Sequence, residues 1–571
     1  MEKQPYPDYM METIELVEET RPDRLRTEPR RPTPEEKEAL LRSYHPDYKA
    51  GTKRILKIGP NAGDTSMPVP HEVADVLEAW PLIDPSAIDL SEPDYDVDIL
   101  IVGAGGAGSM AAYWAYETLK SKGVRHPEER ILIITKLRYG DANTIMAQGG
   151  IQAADRPEDS PTLHWLDTMG GGHFTNDPEL VKILVTEAPK IIKFYEELGA
   201  MFDKFEDGSF LELPGGGACR YRLHSCKDYT GLELFRVLRD AVINRDIPYL
   251  EFTPAIELIS DGHGGCAGVV ALNLDTQEYV VIRAKATIIT TGGYGRLHIQ
   301  GFPTTNHYGA TMDGVVIAYR LGAKLRDLDS TQYHPTGAAY PEQIVGALLT
   351  EKLRGAGAQL VNKNGEAFIY PLEPRDVVAS AIIKECAEGR GIETPTGKVG
   401  VWLDTPMIDM IHGKGTLKKW FAWVYRTFMR YGIDPSKYPI LAYPTLHYQN
   451  GGICIDKYTR VLNAQGKPIP RLFAAGEVTG GVHGKNRLMG NSLLEISVFG
   501  KIAGITVAEY VLKADKPRKM TLDHVVKWMK NCEKLKIPRE RKSPIVLPDY
   551  RFLTTEKFVP VRELKKILRV F

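Results

Sequence analysis

Residues 95–120 read YDVDILIVGAGGAGSMAAYWAYETLK, and the change of character inside this stretch decides the fold. An apolar run, Val97 to Val102, enters a glycine turn and leaves it as a helical pattern, which predicts strand, tight turn and helix in succession. The spacing G-x-G-x-x-G falls on Gly103, Gly105 and Gly108. In such a unit the first glycine makes the turn, the second admits a pyrophosphate close to the backbone, and the third lets helix and strand approach, with the helix N-terminus facing the phosphates. The motif points to dinucleotide binding, with a purely structural glycine turn as the plainer alternative.

The next apolar run, ILIITK, ends in Thr135 and Lys136. An NAD-binding unit commonly carries an acidic residue there to hold the ribose. Its absence weakens an NAD reading and leaves a flavin nucleotide, with Thr135 and Lys136 at the cofactor. Directly afterwards comes GDANTIMAQGGI, Gly140 to Ile151. Asn143, Thr144 and Gln148 are suited to hydrogen-bonding a planar heterocycle, and Gly149 and Gly150 to bringing backbone N–H groups against it. Two further apolar runs, ATIITTGG and RLFAAGE, read as strands ending in glycine that can return to the same sheet.

The bulk properties exclude several classes of function. Lys plus Arg total 72 and Asp plus Glu 73 in a chain of 571 residues, so charge gives no reason to expect nucleic acid or an anionic membrane surface as partner. Six cysteines lie scattered with no C-x-x-C pair, which argues against a resident metal or iron–sulfur site and against a disulfide framework. The acidic start, MEKQPYPDYMMETIELVEET, lacks the pattern of a secretory signal, and no apolar run approaches the length of a membrane span. The reading is a soluble, cytoplasmic chain without a direct membrane span. Residues 1–94 are charged and proline-rich, as in RPDRLRTEPRRPTPEEK, a composition expected to form an extended arm lying on the body or on a partner.

Several segments in fixed order resemble the flavoprotein subunits of succinate dehydrogenase and fumarate reductase and their relative L-aspartate oxidase. They are GDANTIMAQGGI, ATIITTGGYGR, TQYHPTG, LLTEKLRGAG, PRDVVASAI, PTLHYQNGGI and AAGEVTGGVHGKNRLMGNSLLE. The likeness covers most of residues 95–515. It implies an α/β architecture: a Rossmann-like FAD-binding domain from residues 95–327 and 442–513, interrupted by an α+β capping domain at 328–441, with a short helical C-terminal segment at 514–571. Membrane-bound respiratory members of the family carry a histidine, covalently linked to FAD, where this chain has Asn143. Asparagine cannot form that bond, so the resemblance implies noncovalent FAD. It places Gly292, Gly293, Glu477, Asn491, Ser492 and Leu493 at the cofactor as well, Glu477 as an acceptor for ribitol or ribose hydroxyls.

Reduction of the C=C bond of a dicarboxylate needs cationic or hydrogen-bonding groups on two carboxylates, a hydride donor over one alkene carbon and an acid beside the other. The resemblance assigns His334, Thr350, His447 and Arg487 to the substrate carboxylates. It makes Arg375 the proton donor in fumarate reduction and the base in succinate oxidation, with Glu351 and Arg354 as the relay that restores its proton. Arg222 and Asp228 match a segment near the flavin, and pairing with each other is the alternative. The implied function is the flavoprotein subunit of a fumarate reductase or succinate dehydrogenase, exchanging electrons through an iron–sulfur partner in a larger complex, peripheral to the inner face of a membrane if it reaches one through its partners. L-Aspartate oxidase, a reductase of another unsaturated acid, and a non-catalytic FAD electron relay are the alternatives. Departures from the family pattern fall at RGAGAQL, at Asn450, and at Met489 and Gly490. At the extreme C-terminus Val561, Leu564, Leu568 and Phe571 share one helical face, expected to dock on the body or a partner.

Overall fold

Val97 to Val102 does form the end of a strand, Tyr95–Val102, and Gly106–Ser121 the helix that follows. The computed structural model describes residues 4–547. Tyr95–Val102 sits in the middle of an eight-stranded sheet, parallel to Ile131–Ile134 on one side and to Tyr279–Ile289 on the other. Tyr249–Leu250 extends one flank and Pro468–Ala474 the other, both parallel to their neighbours. The runs ATIITTGG and RLFAAGE thus lie in adjacent strands of one sheet. The chain leaves Tyr95–Val102 first toward one flank and later returns to the other, and such a switch point opens a crevice at the carboxyl ends of the strands.

The helix Gly106–Ser121 packs on Asn491–Val511, and small residues set how near they come. A Cβ on Gly500 would lie 2.7 Å from the Ala107 carbonyl oxygen, and one on Gly504 would lie 2.4 Å from that of Ala111. Asn491–Val511 is long and apolar enough to cross a membrane by length and composition, contrary to the expectation from sequence; 67% of its most apolar window is buried inside the protein. It is a core helix here.

A second sheet is antiparallel. Thr331–Ala338 pairs with Ile440–Gln449, which pairs in turn with Val399–Leu403, and Leu360–Val361 and Ile392–Glu393 complete it. The helix Arg375–Ala387 packs on this sheet. Its apolar core is separate from that of the large sheet and includes Trp402, Leu403 and Ile440.

The N-terminal segment is not extended: Asp8–Arg24 and Pro34–Tyr44 are helices. Thr33 and Glu36 close a reciprocal capping box at the start of the second, a pattern present in the sequence as T-P-E-E. Both helices pack against the second sheet, where Tyr6, Met10, Ile14, Val17 and Leu41 join its core. Arg21 and Arg24 meet the buried carboxylate of Asp404 at 2.9 and 2.8 Å. Gln359, in the atypical RGAGAQL segment, accepts from Arg24 Nη1 and donates to the Arg24 carbonyl oxygen. Later residues of the segment cross to the large-sheet side, where Tyr319 Oη donates to the Ile58 carbonyl oxygen at 2.7 Å.

At the other end, Asp523–Lys534 is helical, and Lys542–Ser543 pairs in parallel with Trp80–Pro81. The apolar face expected at Val561 to Phe571 lies outside the described residues.

Candidate active site

The glycine motif lines one end of a long cleft. Gly103 adopts φ +113, and a Cβ there would stand 2.4 Å from the Thr290 carbonyl oxygen, so a side chain would collide with the neighbouring strand. Gly108 does what its position in the motif requires, since a Cβ would meet the Gly103 carbonyl oxygen. The cleft, about 820 Å³, is lined by Gly103, Gly105, Thr135, Lys136, Asn143, Thr144, Gly292 and Glu477 among others. It shares Asn143, Thr144, Glu477 and Ile496 with a second space of about 550 Å³. That space shares Leu348, His447, Arg487, Ser492 and Leu493 with a third of about 360 Å³, where Gln148, Gly149, Gly150, His334, Thr350, Glu351 and Arg375 appear. The three form one continuous path from the glycine turn to a cationic end.

Asn143 stands where the first two spaces meet. Its amide donates to Asn306 Oδ1 at 2.5 Å, its Oδ1 accepts from the His307 backbone N–H at 2.9 Å, and Glu477 Oε2 lies 3.4 Å away. Glu477 also accepts from the Gln449 backbone N–H. Burial pushes its carboxyl up to about 7, despite those two donors. Gly293 is bare because Glu477 fills the place of its side chain, 2.5 Å from where a Cβ would be.

These residues fit FAD. A helix N-terminus with side-chain-free glycines can take a pyrophosphate, Glu477 keeps acceptor capacity for hydroxyls, and Gln148 Oε1 is buried without a hydrogen-bond partner among the described residues. Two expected contacts need correction. Asn491 lines none of the three spaces; its side chain turns into the core, to His164 Nε2 at 2.9 Å and Thr168 Oγ1 at 3.0 Å. Lys136 lines the cleft, but Asp313 holds its ammonium at 2.5 Å and Thr311 at 2.6 Å.

At the cationic end, Arg375 begins the helix Arg375–Ala387. Its Nε donates to Glu351 Oε2 at 2.7 Å and its Nη1 to Gln332 Oε1 at 2.9 Å, leaving Nη2 without a hydrogen bond among the described residues. Arg354 Nη2 reaches the same Glu351 oxygen at 3.2 Å, and the Gly216 backbone N–H donates to the other at 2.7 Å. Burial works to raise the Glu351 carboxyl, but Arg375 and Arg354 hold it below the usual carboxylate range. Arg354 is pulled down to about 10 by burial, with Arg375 adding to the effect. Arg487 falls to about 10 for the same reasons. Its guanidinium lies 4.1 Å over the Tyr448 ring, and its Nε has no hydrogen-bond partner among the described residues.

His334 and His447 face each other with ring centroids 4.9 Å apart. The Thr336 backbone N–H donates to His334 Nδ1, and Thr305 Oγ1 lies 2.7 Å from His447 Nδ1. Burial, then the charge of Arg375, keeps both rings neutral well below the ordinary histidine range. His164 and His307 are pushed down to about 4, again mainly by burial.

A histidine depressed in the folded chain takes up its proton first on unfolding, so its contribution to stability is lost as pH falls below about 6.5. The expected slope is about 1.4 kcal/mol per pH unit for each such histidine. The raised carboxyls of Glu477 and Glu212 titrate with the opposite sign, so the check is a comparison. Urea unfolding between pH 7.5 and 5.5 should show the slope reduced by about one proton in His447→Gln.

Sequence reasoning missed Gln332, Gly216, Thr305 and Asn306, which hold Arg375, Glu351 and His447. None sits in a pattern that marks such a role. Arg222 and Asp228 do not pair with each other: Arg222 is clamped by Asp159 and Asp167 at 2.7 and 2.6 Å, while Asp228 accepts from the backbone N–H groups of Trp423 and Val424.

A family profile described as FAD binding domain matches residues 98–493. The chain is 38% identical over 431 residues to a flavoprotein of Methanothermobacter marburgensis named as a component of fumarate reductase (CoM/CoB), covering 74% of each. This chain belongs to the fumarate reductase and succinate dehydrogenase flavoprotein family. It is also 35% identical to L-aspartate oxidase of Nostoc sp., over 81% of this chain and 78% of that one. Among solved structures, the E. coli quinol fumarate reductase FrdA superposes with a TM-score of 0.67 at 31% identity, covering 77% of this chain and 74% of that one. The chain is thus an FAD-binding oxidoreductase with an α/β fold of the fumarate reductase type.

Proposed function

We propose that this chain is the catalytic flavoprotein subunit of a fumarate reductase or succinate dehydrogenase, interconverting fumarate and succinate. The observation that carries the reading is the charge at the end of the cleft. Arg354, Arg375 and Arg487 are buried around one carboxylate, Glu351, and two neutral histidines. A dianion fits that excess of positive charge; a neutral substrate would leave it uncompensated.

Arg487 offers its guanidinium fork to one carboxylate, a bidentate geometry that a point charge cannot match. His334, His447 and the Thr350 hydroxyl supply directed donors for the remaining oxygens. Arg375 has Nη2 available and acts as proton donor to the alkene carbon. Glu351 bridges Arg375 and Arg354 and is the route by which the proton is restored. Bound FAD supplies the electron pair, delivered as hydride from N5. Thr135, Gly103 and Gly105 would border its nucleotide half, and Asn143, Thr144, Gln148, Gly149, Gly150, Ser492 and Leu493 its ring system. The second sheet and its helices serve as the capping domain, whose closure over the cleft excludes water.

Electrons must enter from elsewhere. The family relatives include named components of larger assemblies, which supports an iron–sulfur partner, and the first relative above carries CoM/CoB in its name. A thiol-linked donor is therefore a candidate for this chain.

The test is fumarate-dependent oxidation of reduced viologen by the purified chain, with L-aspartate oxidation measured beside it. Turnover with fumarate supports the reading. Turnover with L-aspartate alone would replace it by an L-aspartate oxidase, and FAD binding without either activity by an electron relay. Denaturation of the same sample should release FAD into solution, because Asn143 offers no nucleophile; flavin retained on the unfolded polypeptide would contradict this.

A further inference from the structure

Away from the cleft, the side chains of Asp155, Glu212 and His224 converge. Their ligand atoms all lie within 4.8 Å of one another. His224 is 1% exposed and ends the strand Leu223–His224, which pairs antiparallel with Ile151–Gln152. Its Nε2 lies 2.9 Å from Asp155 Oδ2 and 3.1 Å from Glu212 Oε1. Its Nδ1 lies 3.1 Å from the Arg222 carbonyl oxygen.

That last contact sets the tautomer. A carbonyl oxygen only accepts, so Nδ1 carries the hydrogen and a neutral ring presents its Nε2 lone pair to two carboxylate oxygens. Three acceptors then face one point. Glu212 sharpens the difficulty: it is 6% exposed, and neither of its oxygens has a hydrogen-bond partner among the described residues. The convergence requires a cation between the three groups.

We propose that Asp155, Glu212 and His224 form a binding site for a divalent metal ion of the zinc class. One imidazole and two carboxylates are a donor set that such ions take, with a water in the fourth position. Ligand atoms on bonds of about 2.0–2.2 Å stand ~3.0–3.5 Å apart in octahedral or tetrahedral geometry, close to the separations from Nε2. A divalent ion balances the two carboxylates. An imidazole N–H on a backbone carbonyl is also the outer contact that commonly fixes a metal-bound histidine. Arg156 plays the corresponding part for Glu212: its Nε meets Oε2 while its Nη2 donates to the Phe210 carbonyl oxygen at 2.8 Å, which leaves Oε1 turned toward His224. Asp155 is on the solvent side, its side chain 23% exposed, where a water can complete the shell.

The site is placed to support the cleft without belonging to it. A Cβ on Gly150 would lie 2.6 Å from the His224 carbonyl oxygen, and Ala153 N–H donates to the Arg222 carbonyl oxygen at 3.0 Å. The metal would tie the Phe210–Glu212 segment and the strand Leu223–His224 to the chain that carries Gly149 and Gly150, a structural role.

The experiment uses the full chain, stripped with a chelator and then titrated with Zn²⁺, with calorimetry and elemental analysis as readouts. One equivalent is expected to bind, and the melting temperature to rise with free Zn²⁺ by mass action. His224→Ala should lose both. Asp155→Asn, at a more exposed position, serves if the histidine variant fails to fold and should bind at least tenfold more weakly. A His126→Ala control removes the exposed cluster of His126, Glu128 and Glu129 and should change nothing. No stoichiometric binding, or binding unaltered in both site variants, would overturn the proposal and leave a protonated His224 as the bridging cation.

Discussion

Arg375→Ala is expected to lower the rate of fumarate reduction by roughly 10²–10⁴-fold, the range for loss of a positioned proton donor, while FAD content stays at the wild-type level. The side chain is 5% exposed and tied by Nε to Glu351 and by Nη1 to Gln332. Those two bonds orient the remaining nitrogen into the cavity that also holds His334, His447 and Arg487. Arg375 is absent from the glycine-lined part of the cleft, which is why cofactor binding should survive. Arg375→Lys should recover little, because an ammonium cannot keep both anchoring bonds and still present a third donor in the same plane. Steady-state kinetics with reduced viologen, beside a flavin assay on the same sample, decides it. A variant within tenfold of wild type would remove Arg375 from the chemistry.

The second large effect concerns stability. Asp404 is fully buried and accepts from Arg21 Nε and Nη2 and from Arg24 Nη2. Asp404→Ala leaves two largely buried guanidinium groups without their carboxylate, and removing one partner of such a set costs about 3–5 kcal/mol. Denaturant unfolding of the FAD-saturated chain measures the loss. Arg24→Ala should add much less in the Asp404→Ala background than in wild type, since both changes break the same contact. A loss below about 1 kcal/mol would put the N-terminal helices in the class of surface ion pairs and deny them a part in holding the second sheet.

Asp404 and Arg21 also show where the sequence becomes opaque. Tyr95–Lys120 announces its strand, turn and helix because the glycine spacing and the change of period are local. The helix Asp8–Arg24 has no such signature. Its buried face includes Arg21 and Arg24 and carries Pro22 between them, and what makes that face acceptable is a carboxylate 380 residues away. Composition alone therefore points to an extended arm. The capping box at Thr33 and Glu36 is legible and marks a helix start.

The site divides in the same way. His334, Thr350, Glu351, Arg375, His447 and Arg487 lie in recognisable motifs, and the fold brings all six to one cavity. Gln332 is two residues from His334 on the same strand and so shares its face, yet nothing local says that its amide will meet Arg375. Asn491 shows the converse. Its neighbours Ser492 and Leu493 line the path, but as the first residue of Asn491–Val511 it points to His164 and Thr168 instead. A motif places a segment at a site; helical rotation decides which of its side chains arrive.

The most direct measurement of the central claim is a single turnover. The FAD-loaded chain is reduced anaerobically and mixed with fumarate, following the return of oxidised flavin absorbance and the succinate formed. Reoxidation with one succinate per flavin, absent in Arg375→Ala, is the predicted result. Flavin that stays reduced in the wild-type chain at saturating fumarate would contradict the assignment.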